Sequence, residues 1–306
     1  MKHVISVAVV NFRPSWGNKA LNLQRMLDYI EIANRKGVNI IVFPETALNG
    51  YEENGEGTFL MHHQEAEPAD GESIRCIEEA AKKYDIYVVF GAAERENERV
   101  YNSAFVCGTD GLIGVYRKAH LPGREPVWAT PGEMCPMVFD TPWGKVALAI
   151  CYDVYNFPEM TRYAKAMGAR LFLNCTACSR EANQWDLIRK ALEYHVQINT
   201  LYIASANLAG RGKNEHFIGG SSIIGPDNCS YETCHYYAGT GFFSENSDNA
   251  VMYEATIDLS LADNNSNVNL FRKNPLTGKP DWRPELYRKM LDEVLKCRFW
   301  NEQLGS

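Results

Sequence analysis

At 306 residues, 45% hydrophobic and 23% charged, the chain has the make-up of a globular protein long enough to bury an extensive core. A formal charge of −7 with no offsetting basic patch excludes nucleic acid as the main partner. The longest apolar runs, such as Val4–Val10, fall far short of the roughly 20 residues of a membrane span, so no membrane partner is expected.

Strand and helix patterns alternate in chain order, which points to an α/β architecture. Met1–Val10 runs into Asn11-Phe12-Arg13 without a small-residue cleavage site and reads as a first strand, not a signal peptide; the cytoplasm is the expected location. Lys19–Lys36 predicts a helix with Leu23, Met26, Leu27, Ile30 and Ala33 on one face, stopped by Gly37. Val38–Pro44 reads as an apolar strand, Ser73–Tyr84 as a helix, and Ile86–Gly91 as a strand. Tyr101–Cys107 and Leu112–Lys118 read as strands joined by a turn at Gly108-Thr109-Asp110-Gly111. Lys145–Ile150 is a short apolar strand, followed after Cys151 by a helix at Pro158–Met167. Beyond it come a strand at Arg170–Leu173, a helix at Gln184–Asn199, strands at Leu201–Ala206, His216–Ile224 and Val251–Ile257, and a helix at Pro284–Cys297. No repeat or linker divides the chain, so residues 1–262 are expected to form one catalytic domain and 263–306 an extension packing on it or on a partner subunit.

Three chemically capable residues fall where apolar runs end: Glu45, Lys118 and Cys151. A thiol, an ammonium and a carboxylate brought together can activate a thiolate and stabilise an oxyanion. A cysteine taken alone is more often a buried structural residue, Glu45 alone can cap a loop, and Lys118 alone can be a solvated charge. Their combination favours catalysis. The nine cysteines cannot all pair, and a compact α/β chain of this length needs no disulfides. Cys175-Thr176-Ala177-Cys178 has CxxC spacing, but Cys229, Cys234 and His235 do not supply the close second pair of a zinc knuckle. Small residues packed in a strand-to-loop turn is the simpler reading. The sequons at Asn174, Asn228 and Asn264 carry no weight without secretion.

The ordered set Phe43-Pro44-Glu45, Arg117-Lys118-Ala119-His120-Leu121-Pro122 and Cys151-Tyr152-Asp153, with Phe157-Pro158-Glu159 beyond, resembles the carbon–nitrogen hydrolases of the nitrilase superfamily. Phe217–Asp227 resembles that family's late strand and turn, and the similarity of order spans about residues 4 to 260. The resemblance implies a four-layer α-β-β-α sandwich, with Glu45 as general base, Lys118 as transition-state cation and Cys151 as nucleophile. It implies no metal or organic cofactor. Glu125-Pro126-Val127-Trp128-Ala129-Thr130-Pro131-Gly132 is similar to the family stretch in which a second glutamate borders the triad. By that match Glu125 orients the substrate or assists Lys118, and Trp128 lines the pocket. Pro126, Ala129 and a one-residue-longer spacing around Val154-Tyr155-Asn156 depart from the usual pattern. The Tyr152 backbone N–H is the expected second oxyanion donor, and Tyr51 and Arg180 are substrate-contact candidates.

Tyr-Asp after the nucleophile, as here at Tyr152-Asp153, is by the same resemblance commoner in amidases and carbamoyl hydrolases than in nitrilases. The expected substrate is therefore a small linear amide or ureido compound. Nitrile hydrolysis, acyl transfer and a non-catalytic binding role are the alternatives. The resemblance also implies a homodimer formed through the helices near 158–167 and 184–199, whose faces hold Met160, Tyr163, Met167, Leu187, Ile188, Leu192 and His195.

Overall fold

The computed structural model describes residues 2–51, 60–180, 185–227, 234–239, 247–263, 274–298 and 300. They fall into two compact units, Met1–Asn264 and Asn265–Ser306. Chain order runs β1 (Val4–Asn11), α1 (Lys19–Arg35), β2 (Ile40–Val42), α2 (Leu60–Glu65), α3 (Glu72–Tyr84), β3 (Tyr87–Glu96), β4 (Arg99–Gly108) and β5 (Gly111–Arg117). It continues with β6 (Met137–Thr141), β7 (Gly144–Ile150), α4 (Tyr152–Asn156), α5 (Pro158–Ala166), β8 (Leu171–Thr176), α6 (Trp185–Asn199) and β9 (Tyr202–Asn207). The first unit closes with β10 (Ala209–Arg211), β11 (His216–Ile218), β12 (Ser222–Pro226), β13 (Cys234–Ala238) and β14 (Val251–Asp258). The second unit holds α7 (Pro284–Val294).

Two mixed sheets of six strands build the first unit, in the orders β14-β1-β2-β3-β4-β5 and β13-β12-β9-β8-β7-β6. Strand periodicity sorts the side chains of the first sheet. Val7, Val9, Ile40, Val42 and Val89 join the core shared with the second sheet. Their neighbours Ala8, Val10, Ile41, Val88 and Phe90 point the other way and pack with α1 and α3. Asn18 caps α1 through its side-chain oxygen, and Met26, Ile30 and Ala33 at helical spacing form its buried stripe. Burying Met26 or Ile30 completely contributes roughly 1.5–3 kcal/mol each. Ile188, Leu192 and Val196 of α6 cover the second sheet in the same way, giving the expected α-β-β-α layering.

The strands β1, β2 and β3 pair in parallel, as do β7, β8 and β9, so β2 and β7 each finish at a sheet edge where crossover connections begin. Glu45 follows the end of β2, Lys118 directly follows β5, and Cys151 directly follows β7. Three local expectations change. The run His216–Ile224 is two strands, because Gly219 and Gly220 adopt φ of 63° and 71° between β11 and β12. A Cβ at Gly219 would lie 1.9 Å from the Ser247 carbonyl oxygen, so the chain passes too close there to continue as a ladder. The second strand spans only Ile40–Val42, since Pro44 cannot donate to a ladder. A short helix, α4, begins directly after Cys151, where the sequence suggested a loop leading to Pro158.

Gly91 fixes where Glu45 sits. Its amide donates to Pro44 O at 3.0 Å, and an added Cβ would lie 2.4 Å from Thr46 N and 2.6 Å from Glu45 Cα. Gly91→Ala should therefore destabilise the protein by about 1–3 kcal/mol in a denaturant titration, because backbone cannot give way as a flexible side chain does.

Candidate active site

Lys118 is held by its own backbone before its side chain is considered. Its N–H donates to Asn102 O and its carbonyl accepts from Gly132 N, both at 2.8 Å. A Cβ at Gly132 would come within 2.3 Å of Arg117 O, so only glycine permits this approach. The ammonium is buried and donates to Glu45 Oε1 and to Glu125 Oε2, each at 2.7 Å. Asn102 Nδ2 donates to Glu45 Oε1 at 2.7 Å and also to Glu125 Oε1, so one amide steadies both carboxylates. Glu45, Asn102, Lys118 and Glu125 are all at most 1% exposed. The structure thus gathers the three predicted charged residues and adds Asn102. An asparagine inside the apolar strand Tyr101–Cys107 was the available signal, since a buried amide needs partners.

Cys151 occupies a sharp elbow between β7 and α4. Its φ of 49° and ψ of −106° lie outside the regions a residue with a Cβ favours, a conformation that costs on the order of 1–3 kcal/mol. The surroundings hold it. The Cys151 amide donates to Asn174 Oδ1 at 2.9 Å, and the Cys151 carbonyl accepts from Val154 N and Tyr155 N. Asn174 Nδ2 in turn donates to Tyr155 Oη and Ser205 Oγ. Cys151 as a residue is only partly buried, and its sulfur is approached by the Thr176 hydroxyl and the Ala177 amide.

Asp153 ties the cysteine loop to the lysine loop. Its carboxylate is fully buried and accepts from Tyr116 Oη at 2.8 Å, Ala119 N at 3.1 Å and His120 N at 2.8 Å, with His120 Nδ1 at 2.7 Å. Lys118 lies between Tyr116 and Ala119, so these bonds fix the Lys118 backbone relative to the Cys151 elbow. In the sequence Asp153 served only as part of the Cys151-Tyr152-Asp153 motif; its strut role is visible only in the fold.

The remaining predicted residues divide. Tyr51 and Trp128 are buried in one apolar cluster with Ala177 and Phe217, and Trp128 N donates to Glu125 O at 3.1 Å. Tyr152 is half-buried beside Phe157, and its amide opens α4, where helical N–H groups lack intrahelical partners. Arg180 stands apart: its side chain is 58% exposed and lies 3.7 Å from Asp248 Oδ2. With Arg211, Lys213 and His216 it borders a surface depression of about 210 Å³. On α6, Ile188, Leu192 and His195 are buried in the protein's own core, while Leu187 is exposed, as is Met167 after α5. Cys175 and Cys178 are buried at the end of β8, Cys229 lies outside the described residues, and no metal-holding group of His, Cys, Asp or Glu occurs among the described residues.

The electrostatics follow from burial and neighbours. Desolvation opposes the Lys118 charge, but the Glu125 and Glu45 carboxylates outweigh it and hold the ammonium well above its usual range. Desolvation pushes Glu125 up to about 7, against the pull of Lys118 and with the push of Glu45. The Cys151 thiol is raised well above its usual value, first by burial and then by Glu45, while Lys118 acts the other way. A thiol held neutral in this way needs a base at the moment it attacks.

The family profile described as carbon-nitrogen hydrolase matches residues 6–228. A probable nitrilase of Schizosaccharomyces pombe is 31% identical over 294 residues, covering 94% of this chain and 98% of that protein. An omega-amidase of Danio rerio is 32% identical over 223 residues, covering 68% of this chain and 76% of its own length. Among solved structures, an amidase from Nesterenkonia sp. AN1 in complex with acrylamide superposes with a TM-score of 0.73 at 22% identity, covering 94% of this chain and 97% of that one.

The Glu125 shift carries a stability consequence. Its folded value of about 7 exceeds the ordinary 4.5, so between those values the folded state binds the extra proton, and stability from this group falls as pH rises through that window. Glu125→Gln should gain melting temperature relative to the parent protein when both move from pH 5 to pH 8, measured by paired thermal melts. A difference independent of pH would contradict the shift.

Proposed function

The chain belongs to the carbon–nitrogen hydrolase family of the nitrilase superfamily, and we propose that it hydrolyses a small linear amide or N-carbamoyl compound through an acyl-thioester on Cys151. The observation that carries this reading is the buried Lys118 ammonium fixed between Glu45 and Glu125 beside a cysteine on a strained elbow.

Each step has a group suited to it. Glu45 Oε2 is buried without a partner, whereas Oε1 already accepts from Lys118 and Asn102. Oε2 takes the Cys151 proton as sulfur bonds to the substrate carbonyl carbon. An ammonium has three hydrogens, and Lys118 commits two to carboxylates, so the third meets the developing oxyanion together with the Tyr152 N–H. The tetrahedral adduct collapses as the C–N bond breaks, and the leaving nitrogen carries off the proton held by Glu45. Water, deprotonated by Glu45, then attacks the thioester, releases the acid and restores the thiol. Glu125 keeps Lys118 charged and aimed throughout.

Amide over nitrile rests on Tyr152-Asp153 after the nucleophile and on the omega-amidase relative. Nitrile hydrolysis is the second reading, favoured by the name and the long coverage of the fission-yeast relative. A homodimer belongs to the same proposal, because Met167, Leu187 and Tyr194 leave apolar surface exposed around α5 and α6. A monomer mass by light scattering at micromolar concentration would remove that part.

Ammonia release from a panel of small amides, N-carbamoyl amino acids and nitriles tests the reading. Cys151→Ala should abolish release while the protein stays folded by circular dichroism. Lys118→Ala should lower kcat at least ~10²-fold, as loss of an oxyanion donor does. Retained turnover in Cys151→Ala would refute the assigned nucleophile.

A further inference from the structure

His62, on α2, has no exposed surface, and neither of its ring nitrogens has a hydrogen-bond partner. Its imidazole stacks on the Trp128 indole, with centroids 3.9 Å apart and planes at 17°, and Trp128 Nε1 is also buried and unpaired. A histidine kept for packing alone would do better as phenylalanine, which brings no polar atoms to bury. Unmatched buried polar groups are costly, and each in a native structure asks for a reason such as a ligand.

Their distribution supplies one. Glu45 Oε2, Thr46 Oγ1 and Asn102 Oδ1 are unpaired as well, so more than half of such atoms among the described residues belong to Glu45, Thr46, His62, Asn102 and Trp128. Contacts link the stacked pair to the catalytic groups from two sides. Trp128 ends the turn that starts at Glu125. On the other side Tyr51, beyond Glu45 on the same loop, packs edge-on to His62 at 6.3 Å and to Phe217 at 6.4 Å. Phe217 bridges to Ser179, two residues from Ala177, whose amide approaches the Cys151 sulfur. The aromatic contacts run from Trp128 through His62 and Tyr51 to Phe217, and the backbone from Ser179 to Ala177 completes the path to the nucleophile. Burial, reinforced by His63, lowers the imidazole to about 3, which leaves it neutral with one N–H donor and one acceptor lone pair.

We infer that the His62–Trp128 pair is a specificity element of the catalytic pocket, whose N–H groups donate to a hydrogen-bond acceptor on the acyl chain of the substrate amide. An indole N–H can only donate, so the complementary substrate atom is an acceptor such as a carbonyl or carboxylate oxygen. The inference rests on the amide-hydrolase reading above and adds the substrate feature that this pair selects.

The test compares three near-isosteric amides: levulinamide with a neutral carbonyl, succinamate with a carboxylate, and isocaproamide with an apolar branch. The parent protein should favour at least one acceptor-bearing amide over isocaproamide by about tenfold or more in kcat/KM. Whichever of the two is favoured tells carbonyl from carboxylate. His62→Phe, which keeps the ring stack, should lower that preference about tenfold, and Trp128→Phe should shift it in the same direction. A parent protein without preference, or variants that lower all three amides in parallel, would overturn the inference. If propionamide is still hydrolysed and Cys151→Ala still inactive, the hydrolase reading survives that outcome. No turnover of any amide by the parent protein would sink both.

Discussion

Lys118 brings a full positive charge into a part of the fold with almost no contact with water, and it persists there because two carboxylates meet it at 2.7 Å. Removing one partner of such a buried set typically costs 3–5 kcal/mol, since the remaining charge is left uncompensated. Here the arrangement carries one negative charge in excess, and the excess is partly relieved by the rise of Glu125 toward neutrality. Asn102 makes the arrangement rigid by donating to both carboxylates from β4, a strand paired on both sides. The rest of the site is built around that cation. Gly132 and Asn102 fix its backbone, Gly91 fixes the approach of Glu45, and Asp153 links its loop to the cysteine elbow.

The strain at Cys151 is offset by those same supports. A positive φ on a residue with a side chain survives only where the surroundings over-determine it. Asn174 takes the Cys151 amide, α4 takes the Cys151 carbonyl, and Asp153 anchors the first turn of α4 to Ala119 and His120. The consequence is a sulfur presented at the end of β7, close to Glu45, Lys118 and Ala177 N. In the proposed cycle this rigidity matters more than a low thiol pKa, because Glu45 removes the proton during attack and no standing thiolate is needed.

Much of this was legible in the residues alone. The apolar runs before Glu45, before Lys118 and before Cys151 mark strands, and the order of the three motifs carries the family and the layered fold. The strand His216–Ile224 misled because a glycine pair inside an apolar run reads equally as strand or break; only the approach of Ser247 decides it. The helix after Cys151 was hidden because its residues, Tyr152–Asn156, have weak helical character and depend on tertiary contacts. The structural roles of Asn102, Asp153 and Asn174 escaped notice for a shared reason. Each is a polar residue whose side-chain partners lie at least 19 residues away in the chain, and spacing does not reveal such pairings. Arg180 drew attention through its place after β8, yet its contact is Asp248.

The covalent step on Cys151 leaves a product that can be observed directly. Rapid quenching of the protein with an amide it hydrolyses, followed by peptide mass spectrometry, should reveal the acyl group as a thioester on the peptide containing Cys151, appearing before the free acid. Acylation at another residue, or ammonia released in steady turnover with no adduct at the earliest times, would contradict the assignment of Cys151 as nucleophile with Glu45 and Lys118 as its base and cation.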